Sequence, residues 1–269
     1  MGKNHQLKTS FIYSLSMFVV AYYLLQLNNQ LLTISISKDF YVDIQWFFSH
    51  LVFEPTLTAP WVSSDMKTSL TMAGPIVSLL LGLVILFLYL NEKTGKKWLS
   101  FLLFWGFIHA FNNFFGVLGM SIFVDTPLVV ASQMYNTGLF TEAVFTTAGL
   151  YLLFLIGINS GSAELIKNGN SMITSRRDRF YFMAVSILLP LIAGSSIIFL
   201  LNRLNNGDHF IQFLSIIVLG IPAFFMFYNQ TPESRSISKK TEKIHWGIVL
   251  VSIIFVAGYF LLTKNGIKI

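Results

Sequence analysis

The chain contains no cysteine and few charges. Without a thiol it forms no disulfide, no thiolate metal site and no cysteine nucleophile. Charged residues make up only 11% of its 269 positions, against roughly 25% in soluble globular domains, so it cannot clothe a folded core with polar surface in water. Signature motifs are missing too. No H-E-x-x-H, G-x-S-x-G, G-x-x-x-x-G-K-[ST] or G-x-G-x-x-G occurs, which removes the familiar zinc-hydrolase, serine-hydrolase and nucleotide-binding readings and leaves no catalytic residue to name. There is no low-complexity tract and no short-period repeat.

What is present is apolar sequence: 54% hydrophobic residues and a mean hydropathy of +0.67. It falls into seven runs, at 11–32, 70–90, 98–123, 138–158, 180–201, 210–228 and 244–262. Each is about 19 to 26 residues long, enough to cross a hydrocarbon layer of roughly 30 Å at about 1.5 Å per residue. The expected fold is therefore all-α: one integral domain over residues 1–269, a polytopic transmembrane helix bundle of about seven spans with the bilayer as its first partner. The first run carries Gln26, Asn28, Asn29 and Gln30 near its end and lacks a small-residue cleavage pattern, so it reads as a retained span and not a signal peptide.

Seven spans divide the flanks into two sets. The set that includes the N-terminus holds 13 of the 18 Lys and Arg residues, among them Lys96, Arg177 and Lys240, and the opposite set holds 5. The positive-inside rule then puts the N-terminus in the cytoplasm and the C-terminus outside, in a plasma or inner membrane. The same rule accounts for the net charge of +6 and the pI near 9.4, with no need for a nucleic-acid partner. Between the first two runs, the external segment 37–68 mixes Trp46, Phe47, Phe48, Phe53 and Trp61 with polar residues, which suits an amphipathic interfacial helix or a short re-entrant piece, ended by Pro55 and Pro60.

Polar residues inside the spans are the candidate functional groups. Gly74, Ser78 and Gly82 recur every four residues on one face of the second span, a surface for close helix packing, with Pro75 expected in that helix's first turn. His109, Asn112 and Asn113 share a side of the third span. Glu142 is the acidic residue well inside the fourth, and His109 is its candidate partner if the third and fourth spans pack as an antiparallel pair. On the external segment His50 and Glu54 stand at i,i+4; if helical, they could share a zinc or other divalent cation with ligands from His109, Glu142 or Asp125. No other cofactor is suggested.

The order of the first two spans resembles the membrane-embedded site-2-protease-like zinc metallopeptidases. The likeness covers under a third of the chain: a first core helix, then a partly amphipathic external stretch, then a helix opening with Ala73-Gly74-Pro75. Where that family carries H-E-x-x-H, this chain reads Gln26-Leu27-Asn28-Asn29-Gln30, and the family's later aspartate ligand has only Asn112 and Asn113 at a comparable place. The resemblance implies a relative that keeps the packing scaffold without the zinc chemistry.

Three functions are then open. The first is a non-catalytic bundle that binds a membrane partner or a small lipophilic ligand through its polar interior. The second is a secondary transporter or proton-coupled permease using Glu142 and His109, with Pro190, Gly194, Gly220 and Pro222 interrupting its helices. The third is an intramembrane metalloenzyme.

Overall fold

The computed structural model describes residues 3–54, 63–119, 138–164, 175–204 and 244–269. It is about 84% helical, and six of its helices are long and apolar enough to cross a membrane. The expected run at 210–228 lies outside the described residues, as do Asp125, Pro55 and Pro60.

Helix α1 runs Lys3–Asp39, well beyond the expected 11–32 at both ends. Nothing in its first turns breaks a helix, and the amides towards its other end do not interrupt it either. Two short strands follow, β1 at Asp43–Trp46 and β2 at Leu51–Glu54, then α2 at Ser64–Asn91 and α3 at Lys97–Gly119. Next are α4 at Gly138–Glu164 and a continuous rod made of α5 at Arg176–Met183, a π-helical turn at Ala184–Leu188 and α6 at Leu189–Leu204. Helix α7, Trp246–Thr263, ends in a two-residue strand β3 at Ile267–Lys268.

Between α1 and α2, the described residues 43–54 form a hairpin and not the expected amphipathic helix. Strands β1 and β2 pair antiparallel, with Asp43 opposite Glu54 and Trp46 opposite Leu51, and β3 joins the other edge of β1. The alternation of Ile44 and Trp46 with Asp43 and Gln45 has the period of a strand, and the loop Phe47–His50 closes with Phe47 N–H donating to the His50 carbonyl at 3.0 Å.

Helix α2 starts earlier than its apolar run because Ser63 caps it, its hydroxyl accepting from Met66 N–H at 3.2 Å. Pro75 consequently sits inside α2 and not in its first turn, and it offers no N–H to the Thr71 carbonyl.

Helix α1 is the hub. It packs against α2, α3, α6, α7, the π-helical turn and β1, while α4 packs on α3. Tyr13, Phe18, Tyr23, Phe104, Trp105 and Ile108 lie at the centre of the core. The outer faces of α2 and α7 are apolar and exposed, as at Leu80, Phe87, Ile254 and Leu262, which is the surface that a helix bundle turns to lipid.

Partners fix the directions of the helices. Ser14 and Phe18 of α1 meet Trp105 and His109 of α3 in the same order, so the two helices run parallel. The π-turn and α6 also rise with α1, through the pairs Ser14–Ser186 and Tyr22–Asn202. So does α7, through Tyr13–His245 and Gln30–Tyr259.

Candidate functional site

Nearly every turn of α1 carries a polar side chain that reaches another element. At Ser14 the hydroxyl receives Trp105 Nε1–H at 2.9 Å and donates to the Ser186 carbonyl. Pro190 explains why that carbonyl is open to it: the residue four places on from Ser186 has no N–H to offer. One turn further, Phe18 packs against Gly194, where a Cβ would lie 2.2 Å from the phenyl ring.

His109 belongs to this layer. Its Nε2 lies 3.1 Å from the Phe18 carbonyl, and since a carbonyl only accepts, the ring proton of that bond sits on Nε2. Phe18 and Tyr22 meet the imidazole edge-on, with ring centroids 4.4 and 5.5 Å away. Tyr22 accepts from Asn202 Nδ2 at 3.2 Å, and the Tyr23 hydroxyl donates to Asn202 Oδ1 at 3.4 Å, so one buried amide ties both phenols.

The next turns hold the hairpin of β1 and β2. Gln26 Nε2 donates to the Phe48 carbonyl at 2.8 Å, and Gln30 Nε2 to the Phe47 carbonyl at 3.1 Å. Gln30 Oε1 accepts from Trp46 Nε1–H at 2.9 Å and from the Tyr259 hydroxyl. Phe48, fully buried, drops into the bundle between Tyr23, Tyr259 and Phe260. On the α2 side a relay of neutral groups crosses three helices: Asn113 Nδ2 donates to Ser78 Oγ at 2.7 Å, and the Ser78 hydroxyl donates to Asn29 Oδ1 at 3.0 Å. Gly74 lies against Asn29, and Gly82 lies under Phe111 and Ala110. Asn112 is buried.

The structure therefore brings Asn113 to Ser78 and Asn29, and His109, one turn earlier on α3, to Phe18 and Tyr22 of α1. It does not bring His109 to Glu142. The hydrogen bond and ring contacts of His109 come from α1 and α3, and Glu142 is a half-buried residue of α4. Helix α4 meets α3 at Gly149 and Gly119, where a Cβ on Gly149 would lie 2.5 Å from the Gly119 nitrogen.

The hairpin also parts His50 from Glu54. In a strand, residues four apart are about 13 Å apart along the chain, too far to share one cation. His50 instead sits in the turn, stacked on Phe47, with Nδ1 3.1 Å from Ser49 Oγ. Among the described residues no three His, Asp or Glu side chains converge to hold a metal.

The sequence shows Gln26, Asn29 and Gln30 only as polar residues near the end of the first apolar run. Their i, i+3, i+4 spacing was the available signal that three amides share one face. Tyr22, Tyr23, Asn202 and Tyr259 carried no local signal, since each acquires its role from a partner distant in the chain. No family model, no curated protein and no solved structure matches the chain.

Proposed function

We propose that the chain is a non-catalytic, multi-pass integral membrane protein that binds a membrane partner or a small lipophilic ligand through its polar interior. The observation that carries this reading is Gln26 Oε1, a buried acceptor with no hydrogen-bond donor among the described residues, set among neutral amides and phenols. A buried acceptor left open costs about 1–3 kcal/mol, a cost that a ligand hydroxyl or amide would remove. Because the surrounding groups are neutral, they suit a neutral hydrogen-bonding ligand better than an ion. Proton-coupled transport through His109 and Glu142 has less support, since the His109 N–H is committed to the Phe18 carbonyl.

Seven spans, with the N-terminus cytoplasmic and the C-terminus external, fit this reading. The rod of α5 and α6 and helix α7 both run parallel to α1, and the apolar run at 210–228, between them in the sequence, is long enough to cross a membrane. The cation bias sets the direction.

Replacing Phe48 with a photoreactive benzoylphenylalanine tests the binding reading. Illumination in native membranes is expected to give one defined adduct, whose yield falls in Gln26→Leu. Adducts only with bulk phospholipids, in proportion to their abundance, would contradict it.

A further inference from the structure

The rod of α5 and α6 is held on one side of its π-helical turn and not on the other. Beyond the turn, α6 is fastened to α1: Gly194 seats the Phe18 ring, and Asn202 bonds both Tyr22 and Tyr23. Before it, α5 packs extensively on no described element other than the turn itself. Among its described side chains only Phe182 and Met183 are buried in the core, while Phe180 and Tyr181 are each 42% exposed.

The turn between them is the weak point of the rod. Leu189 N–H reaches five residues back, to the Ala184 carbonyl, and Pro190 has no N–H to give. A π-helical turn and a proline are each places where helices bend. The carbonyl that Pro190 leaves open, that of Ser186, is closed from outside the rod by the Ser14 hydroxyl, which Trp105 Nε1–H orients at 2.9 Å. Ser186 Oγ itself is buried with no hydrogen-bond partner among the described residues. If the turn tightens to an α-helical register, that hydroxyl can return to the carbonyl four residues back, as serine hydroxyls in helices do. Leaving the Ser14 bond then loses one hydrogen bond and gains another, which brings the two arrangements close in free energy.

From this we infer that the turn Ala184–Leu188 is a hinge on which α5 swings against α1 while α6 stays in place, with the Ser14 hydroxyl as its latch. The swing draws Phe182 and Met183 out of the core one turn before the Ser14–Ser186 pair, and so opens the bundle at the end where α1 begins. The hinge does not depend on the binding reading above, since every contact it uses is internal to the chain.

The test uses the full chain reconstituted in bilayers, with spin labels on pairs of introduced cysteines, which the sequence otherwise lacks, and distances read by double electron-electron resonance. Lys8→Cys with Arg177→Cys spans α1 and α5, and Leu24→Cys with Leu200→Cys spans α1 and α6, all four positions being exposed. The α1–α5 pair is expected to show a main distance and a minor second one. Ser14→Ala is expected to raise the second about threefold to tenfold relative to the main, the worth of one hydrogen bond, while the α1–α6 pair keeps a single distance. Pro190→Ala returns an N–H that closes the Ser186 carbonyl from within the rod, so it is expected to leave the α1–α5 pair one distance that Ser14→Ala no longer changes. A single α1–α5 distance in the Ser14→Ala background, a second population that Ser14→Ala does not raise, or an α1–α6 distance that splits in step with it would each overturn the hinge.

Discussion

At the scale of single residues, close approach to α1 makes side-chain size the sensitive variable. A methyl group at Gly194 would meet the Phe18 ring at 2.2 Å, and Phe18 is itself fixed between Trp105 and His109. Gly258 has open space where its Cβ would be. Gly194→Ala is therefore expected to cost about 1–3 kcal/mol by overpacking, and Gly258→Ala nothing measurable, when both are unfolded by denaturant in detergent. Equal stability of the two variants would contradict the packing described. Ser78 tests polarity instead of volume. Its hydroxyl is both acceptor and donor in the Asn113–Ser78–Asn29 relay, so Ser78→Ala leaves two amides facing each other across a gap. The loss is expected to be about 1–2 kcal/mol, and a double-mutant cycle with Asn113→Leu should be strongly non-additive.

Among the elements, α1 and the hairpin it carries decide how much could be read from sequence. The apolar runs announced the helices, because a span must be long and unbroken to satisfy its own backbone in lipid. The hairpin was not announced. Residues 43–54 hold strand formers such as Ile44, Trp46, Val52 and Phe53, but each strand is only four residues long, too short for its alternation to stand out, and the hairpin is held by Gln26 and Gln30, which are distant in sequence and reach the loop carbonyls from a helix. For the same reason the pairing of His50 with Glu54 failed: it assumed helical spacing where long-range hydrogen bonds impose a turn. Pro75 was misplaced because the Ser63 cap starts α2 ahead of its apolar stretch. Gln30 is the sharpest test of this coupling. Gln30→Leu removes the acceptor shared by Trp46 and Tyr259 and the donor to Phe47. It is expected to raise amide exchange across residues 43–54 by about tenfold or more while leaving α2 and α3 protected, as measured by hydrogen exchange. Unchanged protection of the hairpin would mean that Phe48 packing alone holds it.

For the whole molecule, the directions of the helices constrain the topology more tightly than their number does. Helices α1, α3, α7 and the α5–α6 rod are parallel, and the Tyr13–His245 bond puts the start of α7 at the N-terminal end of α1. The pairing of β3 with β1 puts the end of α7 beside the hairpin that follows α1. Residues 96 and 177, at the starts of parallel helices, should then lie on one side of the membrane, and residue 265, which follows one, on the other. All three positions are exposed. Because the chain has no cysteine of its own, Lys96→Cys, Arg177→Cys and Asn265→Cys can each be probed alone with a membrane-impermeant maleimide. In intact cells Asn265→Cys is expected to react, while the other two react only after the membrane is permeabilised. The reverse pattern would invert the orientation but keep the parity, and would show that the excess of 13 cations over 5 does not set the direction here. Labelling of positions 177 and 265 from the same side would instead break the parity and the seven-span reading with it, because a rod and a helix that both run parallel to α1 cannot begin and end on one face of a bilayer.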